Sequence, residues 1–129
     1  DRNEQEMKWT TVEMQLEVPK QLKQLSAKDV VLFECVTTWL SNVLYRSEGD
    51  SARSETIHNY IESLQKQLLA WQAQGATIIV VSNEVLDELP SNYEEVNVYR
   101  KLLGELHQWL VQHSSEAYEV QFQLVQRWK

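Results

Sequence analysis

Two runs of consecutive apolar residues dominate the hydrophobic pattern of this chain. The first reads VVLFEC at residues 30–35, and the second reads TIIVVSNEV at residues 77–85. Continuous apolarity without alternation is typical of strands buried on both faces, as in a parallel sheet. The first run ends at Glu34, and the second ends at Asn83 and Glu84. Because open α/β sheets bind ligands at the carboxyl ends of their strands, the pattern predicts a fold class and a site together.

Apolar residues at helical spacing follow or precede each run. They predict a helix after Thr37 or Thr38, either of which can cap it, and a long amphipathic helix over residues 54–74 that Gly75 ends. An S-x-x-E capping box at residues 91–94 predicts a further helix over about 92–112. Before the first run, residues 9–12 favour a short strand and residues 18–25 a short helix.

The end of the chain alternates between apolar and polar residues over positions 117–125. A period of two predicts a single strand with one solvated face, at the edge of a sheet. The resulting order of strand, helix, strand, helix and strand predicts one α/β domain over residues 1–129. We expect a three-layer, mostly parallel sheet with flanking helices and right-handed connections.

Composition narrows the functional classes. The chain has 129 residues and a formal net charge of −7, which argues against nucleic-acid binding because that needs a basic surface. The single cysteine, Cys35, is consistent with a reducing cytoplasm, and no apolar run is long enough to span a membrane. A start at Asp1, with no initiator Met or signal-peptide pattern, suggests a fragment or a processed chain.

The acids at the strand ends are the first candidates for chemistry. An acid after four apolar strand residues, such as Glu34, orients Mg²⁺ and water in P-loop NTPases. The alternative is an acid that simply reaches solvent where its strand ends. Asn83 and Glu84 are interpreted either as a polar pair that faces substrate or nucleotide, or as an ordinary turn after the strand.

A second candidate lies on the helix predicted over residues 92–112. Arg100, Gly104 and Gln108 are spaced by four residues, which brings them near one face of the helix. Arginine suits bidentate phosphate binding, and a glycine inside a helix permits close approach of a ligand or another backbone. The alternative is a solvated arginine and a tolerated glycine. No G-x-x-x-x-G-K-[ST] motif occurs in these residues, so they contain no backbone cradle for a triphosphate.

Several segments together resemble a known family. WTTVE at 9–13 looks like W-x-T-x-E, and VVLFECVTTWLSNVL at 30–44 looks like an apolar strand, an acid and C-[LIV]-T-x-W-[LV]-x-N. VVSNEV at 80–85 looks like V-[ST]-N-E-V-G. Tyr99, Arg100, Gly104 and Gln108 fit [FY]-R-D-x-x-G-x-x-N-Q. The chain therefore resembles the bifunctional adenosylcobinamide kinase / adenosylcobinamide-phosphate guanylyltransferase family of cobalamin biosynthesis.

The resemblance implies a RecA-like P-loop NTPase fold, of which this chain lacks the P-loop segment and the N-terminal strand. It implies phosphorylation of adenosylcobinamide by ATP or GTP with Mg²⁺, then GMP transfer through a guanylylated His. Glu34 would be the catalytic, Mg²⁺-linked acid. The residues near the nucleotide or the corrinoid would be Asn83, Glu84, Arg100 and Gln108. Together with the apolar helix stripes, the resemblance also suggests a homo-oligomer, and the single cysteine suggests a cytoplasmic location.

The sequence departs from the family pattern at informative positions. The family's His-Arg pair falls on residues 1–2, which are Asp and Arg, and its glycine-containing loop becomes LDELPSN at 86–92. Its Asp and Asn become Lys101 and His107. These changes argue against guanylyltransfer. Three interpretations of the chain remain. It is a kinase-like protein completed by an N-terminal segment, a degenerate non-catalytic binding or assembly subunit, or an α/β domain with accidental strand-end acids.

Overall fold

The structure, a computed structural model, describes residues 16–17, 22, 24–82, 93–121, 124–127 and 129. The strand predicted at 9–12 and most of the helix predicted at 18–25 lie outside these residues. The described elements, in chain order, are β1 (Val30–Phe33), α1 (Val36–Arg46), α2 (Arg53–Ala73), β2 (Thr77–Val80), α3 (Tyr93–His113), β3 (Tyr118–Gln121) and β4 (Leu124–Arg127).

The chain divides into two compact units, Asp1–Asn83 and Glu84–Lys129. In the first unit β1 and β2 pair in parallel, from Val30 opposite Thr77 to Phe33 opposite Val80. Parallel neighbours need a long crossover connection, which α1 and α2 supply. The α/β class and the parallel pairing are therefore confirmed. The three-layer sheet and the single-domain organisation stay predictions.

Burial of the parallel strands alternates, so the expectation of two covered faces is wrong for β1 and β2. Val30, Leu32 and Ile79 keep 45%, 41% and 48% of their surface exposed. Their neighbours Val31 and Ile78, which point to the other face, are half-buried. An uninterrupted apolar run shows only that neither face is polar. Which face is covered depends on where other elements pack.

The core of the first unit is formed mainly by side chains of α1 and α2, as their apolar stripes predict. The buried apolar side chains of the two helices are Val36, Trp39, Leu40, Val43, Leu44, Ile57, Leu64, Leu68 and Trp71. Full burial of one large aliphatic or aromatic side chain contributes roughly 2 kcal/mol. The two helices therefore supply most of the described hydrophobic stabilisation of this unit.

Two buried indoles attach the segment before β1 to these helices. Trp39 Nε1 donates to the carbonyl of Leu16 at 3.0 Å, and Trp71 Nε1 donates to the carbonyl of Leu22 at 2.6 Å. The backbone N–H of Leu25 donates to the side-chain oxygen of Gln74, also at 2.6 Å. A buried indole N–H needs an acceptor, so each tryptophan contributes both apolar area and a point of attachment.

A polar cluster holds the corner between α1 and α2. Arg53 donates from Nε to Ser47 Oγ at 3.2 Å and from a terminal nitrogen to the Leu44 carbonyl at 3.0 Å. Ser47 is only 1% exposed, and its hydroxyl also donates to the Leu44 carbonyl. The carbonyls of the last helical turn lack intrahelical donors, so these bonds satisfy the end of α1.

The loop of this corner is closed by a carboxylate. Asp50 accepts from the backbone N–H of Ala52 at 2.9 Å and from the hydroxyl of Thr56 at 2.8 Å. The bond from the Ala52 N–H, and then that from Thr56, lowers the pKa of Asp50 below its usual 3.8. The charged form of this side chain therefore favours the folded corner.

The second unit contains α3 and a hairpin. β3 and β4 are antiparallel, with Tyr118 opposite Arg127 and Gln121 opposite Leu124. Among the described residues they form a sheet of their own, so the single edge strand predicted over 117–125 is wrong. The sequence contains no Gly, Pro, Asn or Asp at positions 122–123 that would signal a reversal. The alternation of apolar and polar residues therefore did not distinguish two antiparallel strands from one continuous strand.

Gly75 provides a test of the α2–β2 connection. Its φ is +89°, and an added Cβ would lie 3.2 Å from Ala27 Cβ, whereas Gly49 has φ +82° and open space at the same position. We expect Gly49→Ala to lower the free energy of unfolding by about 1 kcal/mol, the cost of a left-handed alanine. Gly75→Ala should cost about 1 kcal/mol more because of the contact. Equal losses in urea unfolding would contradict this packing.

Asp50 predicts a pH dependence of stability. Its folded-state pKa is lowered, so its contribution is fully present above the unfolded pKa and is lost as pH falls through the folded value. The difference in Tm between the wild type and Asp50→Asn should be constant near neutral pH and should shrink below pH 3.8. Glu48→Gln, in the same loop, is the matched control and should show a smaller difference. A constant Asp50→Asn difference down to the acid limit would refute the assignment.

Candidate functional site

The carboxyl ends of β1 and β2 meet at one place. The N–H of Val81 donates to the Phe33 carbonyl at 2.9 Å, and the N–H of Cys35 donates to the Val81 carbonyl at 3.0 Å. These are the bonds of a parallel ladder, continued by one residue beyond each strand. They place Glu34 beside Val81, at the edge of the sheet where the sequence predicts a site.

Glu34 presents its side chain to solvent. By the alternation of the strand it lies on the same face as Val30 and Leu32, whose side chains are also exposed. A carboxylate oxygen in this position is accessible to a hard cation such as Mg²⁺. The geometry is compatible with both interpretations of Glu34, as a metal-linked acid and as a solvated strand end.

Metal binding at Glu34 depends on which other ligands are available. Among the described residues, no three His, Cys, Asp or Glu side chains cluster in a way that could hold a metal ion. Mg²⁺ in nucleotide-binding enzymes is held by one or two carboxylates, substrate phosphates and water, rather than by an all-protein cage. Glu34 can supply one carboxylate to an ion of this kind.

Cys35 follows Glu34 and has an unusual backbone. Its φ of 69° and ψ of 70° make it the one non-glycine residue with positive φ in the described part of the chain. The N–H of Val36 donates to the same Val81 carbonyl as the N–H of Cys35, and α1 begins at once. The Cys35 sulfur lies 2.8 Å from Thr38 Oγ1 and 3.1 Å from Thr37 Oγ1.

The sequence places Cys35 at the end of the first apolar run and predicts no left-handed turn there. Cysteine has no particular preference for the left-handed region, unlike glycine or asparagine. The available signal was the absence of any loop: the apolar run ends at residue 35 and the helical pattern begins at residue 36.

The predicted pair at the end of the second run cannot be placed in the same way. Asn83 and Glu84 lie outside the described residues, and their proximity to Glu34 stays a prediction. Ser82, which precedes them, is exposed. The described edge of the first unit is therefore formed by Glu34, Cys35 and Ser82.

In the second unit, α3 brings together the other predicted residues. Arg100, Gly104 and Gln108 are all exposed and lie near one face of the helix. No described atom lies within 4 Å of the Cβ position at Gly104, so this glycine does not accommodate a described part of the protein. Tyr99 and Leu106 are buried, at 3% and 2% exposure. The helix thus presents a buried face and a polar face that includes a guanidinium.

Comparison with known proteins identifies relatives of this chain. A sequence model of the cobinamide kinase / cobinamide phosphate guanyltransferase family matches residues 1–124. The chain is also 27% identical over 118 residues to the bifunctional adenosylcobalamin biosynthesis protein CobU of Escherichia coli (strain K12). That match covers 87% of this chain and 65% of the relative, so the chain spans less than two-thirds of the length of the relative.

None of the helices in the described part of the chain is long and apolar enough to cross a membrane. The matched region includes Glu34, Arg100 and Gln108 and extends over nearly the whole sequence. A match over this share of the chain establishes family membership, although it assigns no role to any residue. The chain belongs to the cobinamide kinase / cobinamide phosphate guanyltransferase family.

Proposed function

We propose that this chain carries out the kinase step of cobalamin biosynthesis, the phosphorylation of the corrinoid side-chain hydroxyl by a nucleoside triphosphate. The observation that carries the proposal is the position of Glu34. It is an exposed acid at the carboxyl end of β1, directly beside β2, in a chain of this family. Ligands of open α/β sheets bind at this edge. In this proposal Glu34 is the acid linked to Mg²⁺.

Bound Mg²⁺ would neutralise charge on the phosphates of ATP or GTP as the phosphoryl group transfers. Glu34 would hold the ion, or a water bound to it, through its carboxylate. Arg100 has a guanidinium suited to phosphate or to polar groups of the corrinoid, and Gln108 can hydrogen-bond on the same face of α3. Asn83 and Glu84 would contact the nucleotide or the corrinoid.

The proposal requires a phosphate cradle from outside these 129 residues, because they contain no glycine-rich phosphate loop. A RecA-like P-loop fold completed by such a segment would bring the cradle to the carboxyl edge of β1 and β2. The complete protein would then be a cytoplasmic enzyme that binds a nucleotide and a corrinoid and forms a homo-oligomer.

Guanylyltransfer is not part of the proposed activity. The motif position that holds a nucleotide-accepting His in the family is Asp1 here, and two further positions are changed to Lys101 and His107. The same changes favour the second candidate function, a non-catalytic member that binds a ligand or supports assembly. Binding of cobinamide without any binding of ATP or GTP would support that second function.

Glu34→Gln tests the proposed role of the carboxylate. The substitution keeps the size and one acceptor oxygen but removes the charge, so it should weaken Mg²⁺-dependent ATP or GTP binding by about tenfold or more. Calorimetric titration of the full-length protein, with and without Mg²⁺, measures this change. Glu62→Gln, an exposed acid on α2 in the same unit, is the matched control and should bind as the wild type does.

Both variants should keep the wild-type Tm, because both side chains are exposed. Absence of ATP and GTP binding in the wild type would refute the kinase. If Glu34→Gln binds nucleotide as the wild type does, Glu34 is not part of the nucleotide site, and the kinase activity would have to depend on other residues.

Arg100→Ala tests the polar face of α3. If Arg100 binds phosphate or corrinoid, its removal should weaken binding of one of these ligands by about tenfold, since charged hydrogen bonds of this kind contribute roughly 1.5–3 kcal/mol. Lys101→Ala removes the same charge from the next residue, which is also exposed, and should change binding little. Equal effects of the two variants would indicate a general charge effect, and a large loss of Tm in Arg100→Ala would make Arg100 structural.

A further inference from the structure

The junction between β1 and α1 contains no loop. Glu34 is still paired as a strand residue, because the bonds of Val81 to Phe33 and Cys35 lie on either side of it. The N–H of Val36, the first residue of α1, reaches the same Val81 carbonyl at 3.0 Å. The chain therefore changes from strand to helix at a single residue, Cys35.

That residue adopts a conformation that a side chain disfavours. The left-handed region brings the Cβ of an L-residue close to its carbonyl oxygen, and glycine is the residue that enters it without cost. Non-glycine residues persist there only where the surrounding structure holds them. At Cys35 the surrounding structure includes the two backbone bonds, from the N–H groups of Cys35 and Val36, to the Val81 carbonyl.

The direction of α1 cannot adjust to relieve this conformation. Val36, Trp39 and Leu40 keep at most 2% of their surface exposed, so the start of the helix is fixed by the core. Cys35, at the N-cap, makes no side-chain capping bond to the backbone of α1, and Glu34 is exposed on the strand face that it shares with Val30 and Leu32. An extended residue at position 35 would carry the chain away from Val81 and would shift Glu34 relative to both strands.

We propose that Cys35 is a positioning residue, whose left-handed backbone, and not its thiol, directs the Glu34 carboxylate at the edge of the parallel sheet. The inference rests on the proposed function for what Glu34 binds. It adds a residue whose contribution to binding is set by backbone conformation. It also explains how a strand end without glycine or a loop can present an acid at a fixed place.

A series of substitutions that all lack a thiol tests the inference. The left-handed region is entered most easily by Gly, then Asn, then Ala, and least by the β-branched Val. Calorimetric affinity of the full-length protein for MgATP and MgGTP should follow the same order. Cys35→Gly and Cys35→Asn should remain within about twofold of the wild type, and Cys35→Val should lose about tenfold, the population change expected for such a conformational penalty.

The mechanism also predicts that binding in Cys35→Val loses its dependence on Glu34. Adding Glu34→Gln should then lower the nucleotide affinity of the Cys35→Gly variant strongly and that of the Cys35→Val variant only slightly. General destabilisation would not produce this non-additivity. If Cys35→Val does not fold, the order of Gly, Asn and Ala decides the question. Equal losses of affinity in all four variants would show that the thiol contributes to binding. Unchanged affinity in all four would show that the conformation of residue 35 does not affect binding. Either result would overturn the inference.

Failure of the proposed function gives a different result. If the wild type binds neither MgATP nor MgGTP, the kinase proposal fails, and the junction is measured directly by NMR. The side-chain carboxyl ¹³C shift of Glu34 and the amide exchange of Val36 should then match the wild type in Cys35→Gly and differ in Cys35→Ala. Identical values in the wild type, Cys35→Gly and Cys35→Ala would overturn the positioning role without reference to any ligand.

Discussion

The carbonyl oxygen of Val81 is the acceptor on which the described site depends. It receives the N–H of Cys35 and the N–H of Val36, both at 3.0 Å. The first bond belongs to the parallel ladder, and the second joins the end of β2 to the start of α1. One acceptor therefore connects the end of β2 to β1 and α1, two consecutive elements that are distant from β2 along the chain. Glu34 owes its place to this connection, because it is the residue between the paired strand and the turn.

Such a connection between distant residues needs a stable crossover. Bringing the two strands together costs chain entropy, and the burial of apolar side chains between α1 and α2 offsets it. Trp39 and Trp71 extend this core to the segment before β1 through their indole N–H groups. Arg53 closes the corner between the helices by bonding to the end of α1. The site at the strand ends is thus supported by packing that lies some distance from it.

Family membership and the departures from the family pattern bear on different parts of the function. The match over residues 1–124 places the chain in the cobinamide kinase / cobinamide phosphate guanyltransferase family. The changes at Asp1, Lys101 and His107 affect positions linked by resemblance to guanylyltransfer and to the polar face of α3. The strand-end acid Glu34 is retained. The proposed kinase activity, without guanylyltransfer, is compatible with both observations.

The sequence by itself determined the helices and the strand ends, because helical periodicity, capping residues and apolar runs are local properties. The helices predicted over 54–74 and about 92–112 are the observed Arg53–Ala73 and Tyr93–His113. It also located Glu34 at a carboxyl edge. Tertiary structure alone decided which face of β1 and β2 is covered, where the last strand reverses, and the left-handed turn at Cys35. These features depend on which residues distant in sequence pack against or hydrogen-bond to each other, and the local sequence pattern of a segment does not specify those residues.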